Sequence, residues 1–299
     1  MKHRIFFFLG LALCACEKPL ELELPYEGKK LVAACLLSPE AEVSALITRS
    51  LPPGGPDTGR WEVADALVVL EQIGDFSDTL RYDADAGAYL PASPWRPQAG
   101  KRYRLQVSAA GFPLAYSDTV RMPFPLPIDS WTFRDSARES INSDEALGEV
   151  YVRVSPLLSQ GAYYYVGVES YVDGGRRFAL SGCLGGDLAA SCFTSANGTD
   201  SECIFPESCL LRTPASLGLW ASTSGRPQDM PFEPPRRFDS LVVRVRSLHP
   251  SLYLYYETRY QPSGFELAFS DPASIHSNLR GGYGLLGAYS ESKLVIPLR

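Results

Sequence analysis

Arg102-Tyr103-Arg104-Leu105-Gln106-Val107-Ser108-Ala109 sets Tyr103, Leu105 and Val107 on one side and Arg102, Arg104 and Gln106 on the other. A period of two places the two sets on opposite faces of a pleated strand, so this stretch predicts a β-strand between a core and water. Residues 31–37, 42–50, 65–72, 79–82 and 115–121 also read as strands. They are separated by the turn formers Pro52-Pro53-Gly54-Gly55, Asp85-Ala86-Gly87 and Gly111-Phe112-Pro113. Six or seven short strands over residues 28–122 predict an immunoglobulin-like sandwich.

The pattern resumes beyond a proline-rich segment. Pro123, Pro125 and Pro127 alternate, which predicts a stiff extended linker over residues 123–130. Val150, Val152 and Val154 then alternate with Tyr151 and Arg153, residues 162–172 read as a long strand closed by Asp173-Gly174-Gly175, and Leu241, Val243 and Val245 alternate again. His249-Pro250-Ser251 resembles a helix start with proline at its first position, and Leu252, Tyr255 and Tyr256 would share one face of that helix. A Gly-rich run at 280–287 precedes a last strand at 293–298. Residues 131–299 thus predict a second β-sandwich-like domain with one short helix, and the whole chain is all-β.

The N-terminus carries an address. Lys2, His3 and Arg4 form a basic head, residues 5–13 an apolar run broken only by Gly10, and small Ala15 precedes Cys16. This is the layout of a signal peptide, too short to span a bilayer. An apolar residue three places before the cysteine, Leu13, completes the pattern of a lipoprotein cleavage site. Cys14 does not fit it, because bulky Leu13 precedes that residue. The expectation is a leader over 1–15, lipidation at Cys16 and a tether over 16–27. Two or more acyl chains hold a protein at a membrane without spanning it. Glu21 and Glu23 beside the anchor are compatible with a surface-export signal.

Charge narrows the partners. Without residues 1–15, which carry Lys2 and Arg4, the 28 basic residues fall to 26 against 34 acidic, a net charge near −8. Nucleic-acid phosphates would be repelled, so no nucleic-acid partner is expected. Cys35 lies in an apolar strand and reads as a small buried hydrophobe. Cys183, Cys192, Cys203 and Cys209 crowd one polar loop, 183–209, and in an oxidising compartment predict two disulfides with three possible connectivities. Asn197-Gly198 midway between Cys192 and Cys203 is a hairpin signal that favours a nested pairing, Cys192 with Cys203 and Cys183 with Cys209. No C-x-x-C spacing accompanies them, so zinc is not expected.

The order of features resembles a large family of Bacteroidetes-type outer-membrane lipoproteins that carries only a domain-of-unknown-function label. The likeness covers nearly the whole chain after the leader. It includes Cys16-Glu17-Lys18, Ala66-Leu67-Val68-Val69-Leu70, Ala99-Gly100-Lys101-Arg102-Tyr103-Arg104-Leu105 and Pro125-Leu126-Pro127-Ile128-Asp129-Ser130. Its most specific part is Ser277-Asn278-Leu279-Arg280-Gly281-Gly282-Tyr283-Gly284-Leu285-Leu286-Gly287-Ala288-Tyr289-Ser290, with Ser277, Asn278, Gly281, Gly282, Gly284 and Gly287 as the motif residues. Leu286 stands where an aromatic is common. The resemblance implies two β-domains, an outer-membrane location and a neighbouring TonB-dependent receptor. It implies no active site.

No catalytic set, metal site or cofactor motif emerges. His249 and His276 are the histidines after the leader, and no G-x-S-x-G nucleophile turn accompanies either. Asp83-Ala84-Asp85-Ala86-Gly87 has the look of a calcium loop, but the position of the closing glutamate is Pro94, so a hairpin turn is expected. Gly281-Gly282-x-Gly284 lacks the lysine and hydroxyl of a phosphate loop, and its glycines predict bulges or close backbone approach. Tyr163-Tyr164-Tyr165, Tyr253, Tyr255, Tyr256 and Tyr260 would either stack on a sugar or partner or fill the core and rim of a sandwich, and the second is favoured. The functional expectation is a non-enzymatic binding subunit in the outer membrane, facing the periplasm or the surface, beside a TonB-dependent receptor in nutrient uptake. A free-standing glycan- or protein-binding adhesin is the alternative. A carboxylate-based hydrolase stands third, with no acidic pair to support it.

Overall fold

The computed structural model describes residues 28–52, 61–139, 145–156, 161–172, 175–177, 181–192, 202–225, 234–259 and 274–298. The leader, Cys16, the tether, Asn197-Gly198 and Tyr260 lie outside these residues. The described chain is all-β with one short helix.

The first sandwich uses β1 (Leu31–Leu37), β2 (Ala45–Arg49), β3 (Leu67–Gln72), β4 (Phe76–Asp83), β5 (Ala88–Leu90), β6 (Arg102–Ser108), β7 (Ala115–Ser117) and β8 (Val120–Arg121). One wall holds β1, β2 and β5, and the other holds β3, β6, β7 and β8. Strand β4 carries the ladder from wall to wall: Phe76 to Leu80 pair with β3, and Arg81 to Asp83 with β5. The alternation seen in the sequence decides what goes inside. Leu31, Ala33, Cys35 and Leu37 of β1 meet Tyr103, Leu105 and Val107 of β6 in one buried cluster. The segment 83–87 is the hairpin turn expected of it. The Asp83 carboxylate accepts hydrogen bonds from the Asp85 and Ala86 amides at 2.9 Å each, the local side-chain bond that makes aspartate a turn former.

The second sandwich stacks two walls around another core. One is β13 (Ser181–Gly186), β15 (Ala215–Gly225), β10 (Ala146–Val154) and β9 (Ile128–Glu139), in that order, with β16 (Arg236–Arg237) on β15. The other is β12 (Gly175–Arg177), β11 (Tyr163–Val172) and β17 (Ser240–Leu248), with β14 (Glu202–Pro206) also on β11. Val150, Val152 and Val154 face Val166, Val168, Val243 and Val245 across the core. The linker expected to run through residue 130 gives way earlier, because Ile128 already starts β9.

One strand serves both sandwiches. The Gly-rich run and the last strand are a single element, β19 (Tyr283–Pro297), preceded by the short β18 (Leu279–Arg280) on β7. Its first part lies parallel to β1, from Val32 opposite Tyr283 to Leu37 opposite Ala288. Its remainder lies antiparallel to β17, from Leu248 opposite Tyr289 to Ser240 opposite Pro297. Leu286 and Ala288 therefore enter the first core, and Ile296 the second. Burying Leu286 and Ile296 contributes about 1.5–3 kcal/mol each. At the handover the fully buried Ser290 donates its hydroxyl to the Pro123 carbonyl at 2.6 Å, while Met122 and Leu126 on either side of that proline belong to the first and second cores. The two sandwiches are thus stitched by β19 and by the proline segment, and the first is completed by residues far along the chain.

Helix α1 (Pro250–Thr258) sits outside this shared wall. The His249 ring nitrogen Nδ1 caps it by accepting from the Ser251 amide at 3.2 Å, and Pro250 opens the first turn. Leu252 is fully buried against Leu285, Leu248 and Tyr165, and Tyr255 and Tyr256 pack partly around it.

Candidate functional site

The four loop cysteines form Cys183–Cys203 and Cys192–Cys209, with Cα separations of 5.7 and 6.0 Å. The bridges interleave, which corrects the nested pairing expected from the sequence. The nested scheme needs the strands flanking residues 197–198 to lie side by side in one sheet. Instead β13 pairs with β15 in one wall, while β14 pairs with β11 in the other. Cys183–Cys203 therefore ties wall to wall. Beyond it, segments 187–192 and 207–211 run together. The Ala189 amide donates to the Cys209 carbonyl at 2.8 Å, the Leu211 amide donates to the Asp187 carbonyl at 2.9 Å, and Leu188 bridges Leu210. That pairing is what brings Cys192 to Cys209.

Asp187 ends this clamp and holds it to β15. Its amide donates to the Ser216 carbonyl, its carboxylate Oδ2 accepts from the Ser216 amide, and the same oxygen meets Arg212 Nε, each at 2.7 Å. The preceding residue must be glycine. Gly186 has φ +74°, and a Cβ there would lie 2.2 Å from the Ser216 carbonyl oxygen. The Arg212 guanidinium beside it, with the Ser216 amide and the charge of Arg153, holds the Asp187 carboxyl below the ordinary carboxylate range against the opposing effect of burial. Asp187 thus stays charged and fixes Arg212, whose side chain remains 69% exposed.

A cleft of about 360 Å³ opens beside this pair on the outer face of β9, β10 and β15. Because Val150, Val152 and Val154 point into the core, Tyr151 and Arg153 point out. Register places Arg153 between Ser130 and Ser216, and Tyr151 between Thr132 and Gly218. Gly218 makes room for Tyr151: a Cβ there would lie 2.9 Å from its ring. Arg153 is exposed and makes no hydrogen bond or ion pair among the described residues. The cleft thus joins two guanidiniums and one carboxylate to a set of hydroxyls, a local net positive charge in an acidic chain. The sequence shows Arg153 as the outward partner of an alternating strand. It does not show Asp187 or Arg212, which reach the cleft only through the disulfide clamp.

The family-like C-terminal motif is structural. Ser277 Oγ accepts from the Gly284 amide at 3.1 Å, and the Asn278 side chain brackets Leu286, donating to its carbonyl and accepting from its amide at 2.9 Å each. Gly281, Gly282, Gly284 and Gly287 are sites of close approach. A Cβ would lie 2.1 Å from the Leu114 carbonyl oxygen at Gly281, 2.7 Å from that of Leu31 at Gly282 and 2.0 Å from that of Ala33 at Gly284, and at Gly287 it would meet a Leu36 methyl at 2.7 Å. These residues seat β18 and β19 against the first sandwich.

The remaining sequence candidates also find packing roles. Burial pushes the His249 imidazole down to about 4, which keeps it neutral as a helix cap. The His276 amide donates to Thr258 Oγ1 at 2.7 Å, and its ring lines an apolar groove on β1 with Tyr255 and Ile275. Tyr164 packs with Phe205 in the second core, and Tyr163 stacks on Tyr253 of the helix with centroids 4.2 Å apart. Tyr165 and Tyr289 flank the Arg246 guanidinium, at 4.9 and 4.8 Å from their ring centres, and Glu291 accepts from both Arg244 and Arg246. Cys35 is fully buried in the first core, and burial raises its thiol to about 12, so it is a packed hydrophobe. Among the described residues no cluster of His, Cys, Asp and Glu is placed to hold a metal ion, and no helix is long and apolar enough to cross a membrane.

A family model described as Domain of unknown function (DUF4249) matches residues 17–294. No curated protein matches the chain.

Proposed function

The chain belongs to that family of unknown function, and from this premise we propose that it is a non-enzymatic binding subunit, anchored by lipid on Cys16 in an outer membrane and working with a TonB-dependent receptor in nutrient uptake. The observation that carries the reading is the disulfide-clamped cleft. Two bridges that persist only in an oxidising compartment hold a charged, hydroxyl-lined concavity on the outer face of a rigid sandwich. A leader over residues 1–15, cut before Cys16, would deliver a chain to such a compartment. The receptor partner is supported by the resemblance of the sequence to outer-membrane lipoproteins.

Three measurements test this. Mass spectrometry of the N-terminal peptide should find an acylated Cys16, and Cys16→Ala should move the protein from the membrane to the soluble fraction. Cross-linking in intact cells followed by capture in mild detergent should recover a large β-barrel receptor. An unmodified Cys16 refutes the anchor, and recovery of the lipoprotein alone refutes the partner.

A further inference from the structure

We propose that the cleft bounded by β9, β10, β15 and the disulfide clamp binds the carboxylate-bearing ring of an acidic sugar, a uronate. This names the ligand class of the binding reading above and rests on it. Charge gives the first argument. Among the residues that line the cleft, Arg153 and Arg212 stand against the single carboxylate of Asp187, one net positive charge where the chain as a whole is at −6, with Glu149 beside it accepting from the Tyr151 hydroxyl at 3.4 Å. One excess guanidinium suits a monoanion better than a doubly charged phosphate, which would leave a negative charge beside Asp187 uncompensated. The flat fork of an arginine fits a carboxylate bidentately, and among the described residues Arg153 has no hydrogen bond or ion pair to give up in order to do so, its charge acting on Asp187 only at a distance.

The second argument is the company those cations keep. Ser130 and Thr132 of β9 and Ser216 of β15 present hydroxyls from the two strands that flank β10, each able to donate and to accept. A simple aliphatic acid has no use for that array, whereas a polyhydroxylated ring satisfies both halves of each hydroxyl. Strands β9 and β15 lie on either side of β10, two strand spacings or about 10 Å apart, so these groups address opposite sides of a ligand rather than a single atom. Tyr151, seated over Gly218, adds the amphipathic aromatic that pairs a polar edge with a flat apolar face. The volume, about 360 Å³, lies at the small end of the range of ligand sites and suits about one or two rings.

Asp187 is a positioning residue in this scheme. It grips Arg212 through Nε at 2.7 Å and is itself held by Ser216, so it aims the guanidinium at the cleft without meeting the ligand. The clamp serves the same end, since it is what brings Asp187 alongside Leu211.

The test is isothermal titration of the full-length protein in detergent with glucuronate, galacturonate and a galacturonate trimer, alongside glucose, galactose and inorganic sulfate. At least one uronate should bind at least tenfold more tightly than its neutral twin and more tightly than sulfate. Arg153→Met should weaken uronate at least tenfold and leave the neutral sugar unchanged. Asp187→Asn should weaken uronate too, and Asp187→Glu should restore part of the affinity. Equal binding of uronate and neutral sugar, sulfate binding as tightly as uronate, an Arg153→Met variant of unchanged affinity, or no binding across the panel overturns the proposal. The melting temperature of each variant separates lost contacts from lost folding. The assay needs neither lipid nor receptor, so its failure is distinct from that of the anchor and capture experiments.

Discussion

Replacing Gly284 by alanine tests the claim that β19 completes the first sandwich. Gly284 has φ +112° and faces Ala33 in the parallel β1–β19 ladder. A non-glycine residue held in such a conformation costs about 2 kcal/mol. The added Cβ would also lie 2.0 Å from the Ala33 carbonyl oxygen, well inside van der Waals contact, and that oxygen is backbone with no rotamer to escape into. Strand β19 must therefore step away from β1 locally, and opening two ladder hydrogen bonds costs about 1 kcal/mol each. The total is about 4 kcal/mol, which for a chain of this size lowers the melting temperature by about 10 °C. Gly74→Ala is the matched control: φ is +83° and nothing lies within 4 Å of the added methyl, so only the backbone strain of about 1–2 kcal/mol remains. Differential scanning calorimetry of both variants reads the comparison. If they melt within about 2 °C of each other, the close approach of β19 to β1 is refuted.

The other expectations concern the clamp, the charged outer face and the helix cap. Non-reducing digestion should yield peptides joining Cys183 to Cys203 and Cys192 to Cys209, and the double variant Cys192→Ser/Cys209→Ser, opening a loop with a sequence separation of 17, should lose about 3 kcal/mol in denaturant unfolding. A Cys192–Cys203 peptide would restore the nested scheme. Glu291→Ala leaves Arg246 and one side of Arg244 without their carboxylate in a setting where Glu291 is 9% exposed, and should cost about 3 kcal/mol, while Glu71→Ala on the exposed Arg104 pair should change stability by under about 1 kcal/mol. Similar losses at the two sites would contradict the burial argument. His249 has its imidazole depressed to about 4 from an ordinary 6.5, so between those values the unfolded chain binds the proton and the folded chain does not. Stability should hold above pH 6.5 and fall as pH drops from 6.5 toward 4. His249→Asn keeps a capping side chain and should reduce that fall. An NMR titration placing the His249 midpoint near 6.5 would remove the basis for this.

The strands whose two faces differ were legible. Alternation in residues 31–37, 102–108 and around Val150 to Val154 maps onto β1, β6 and β10, because each has a core on one side and solvent on the other. The helix start was legible for a related reason, since Pro250 after His249 is a local signal with a local cause. Strand β19 read as two pieces because its inward residues enter two different cores. Leu286 and Ala288 serve one, Ile296 the other, and buried Ser290 interrupts the apolar pattern at the handover. The glycines within it looked like a loop, and their reason for being there, Ala33 and Leu36 on β1, lies at the other end of the chain. The disulfides failed in sequence for the same reason: the partner of β14 is β11, which no spacing between cysteines encodes. Of the cleft, Arg153 was visible as an outward residue, whereas Asp187 and Arg212 depend on a pairing across the clamp.

The shared strand also bears on the order of synthesis. A chain made from its N-terminus has β1 long before β19, and until β19 arrives the β1 edge opposite β2 has no partner and Leu286 and Ala288 are missing from the first core. Among the described strands, the last to emerge is the one both halves await. A chain made only as far as residue 282 lacks the element that completes both halves. Cutting at the proline segment would for the same reason give two fragments, the first deprived of a wall strand and the second left with an unmatched one.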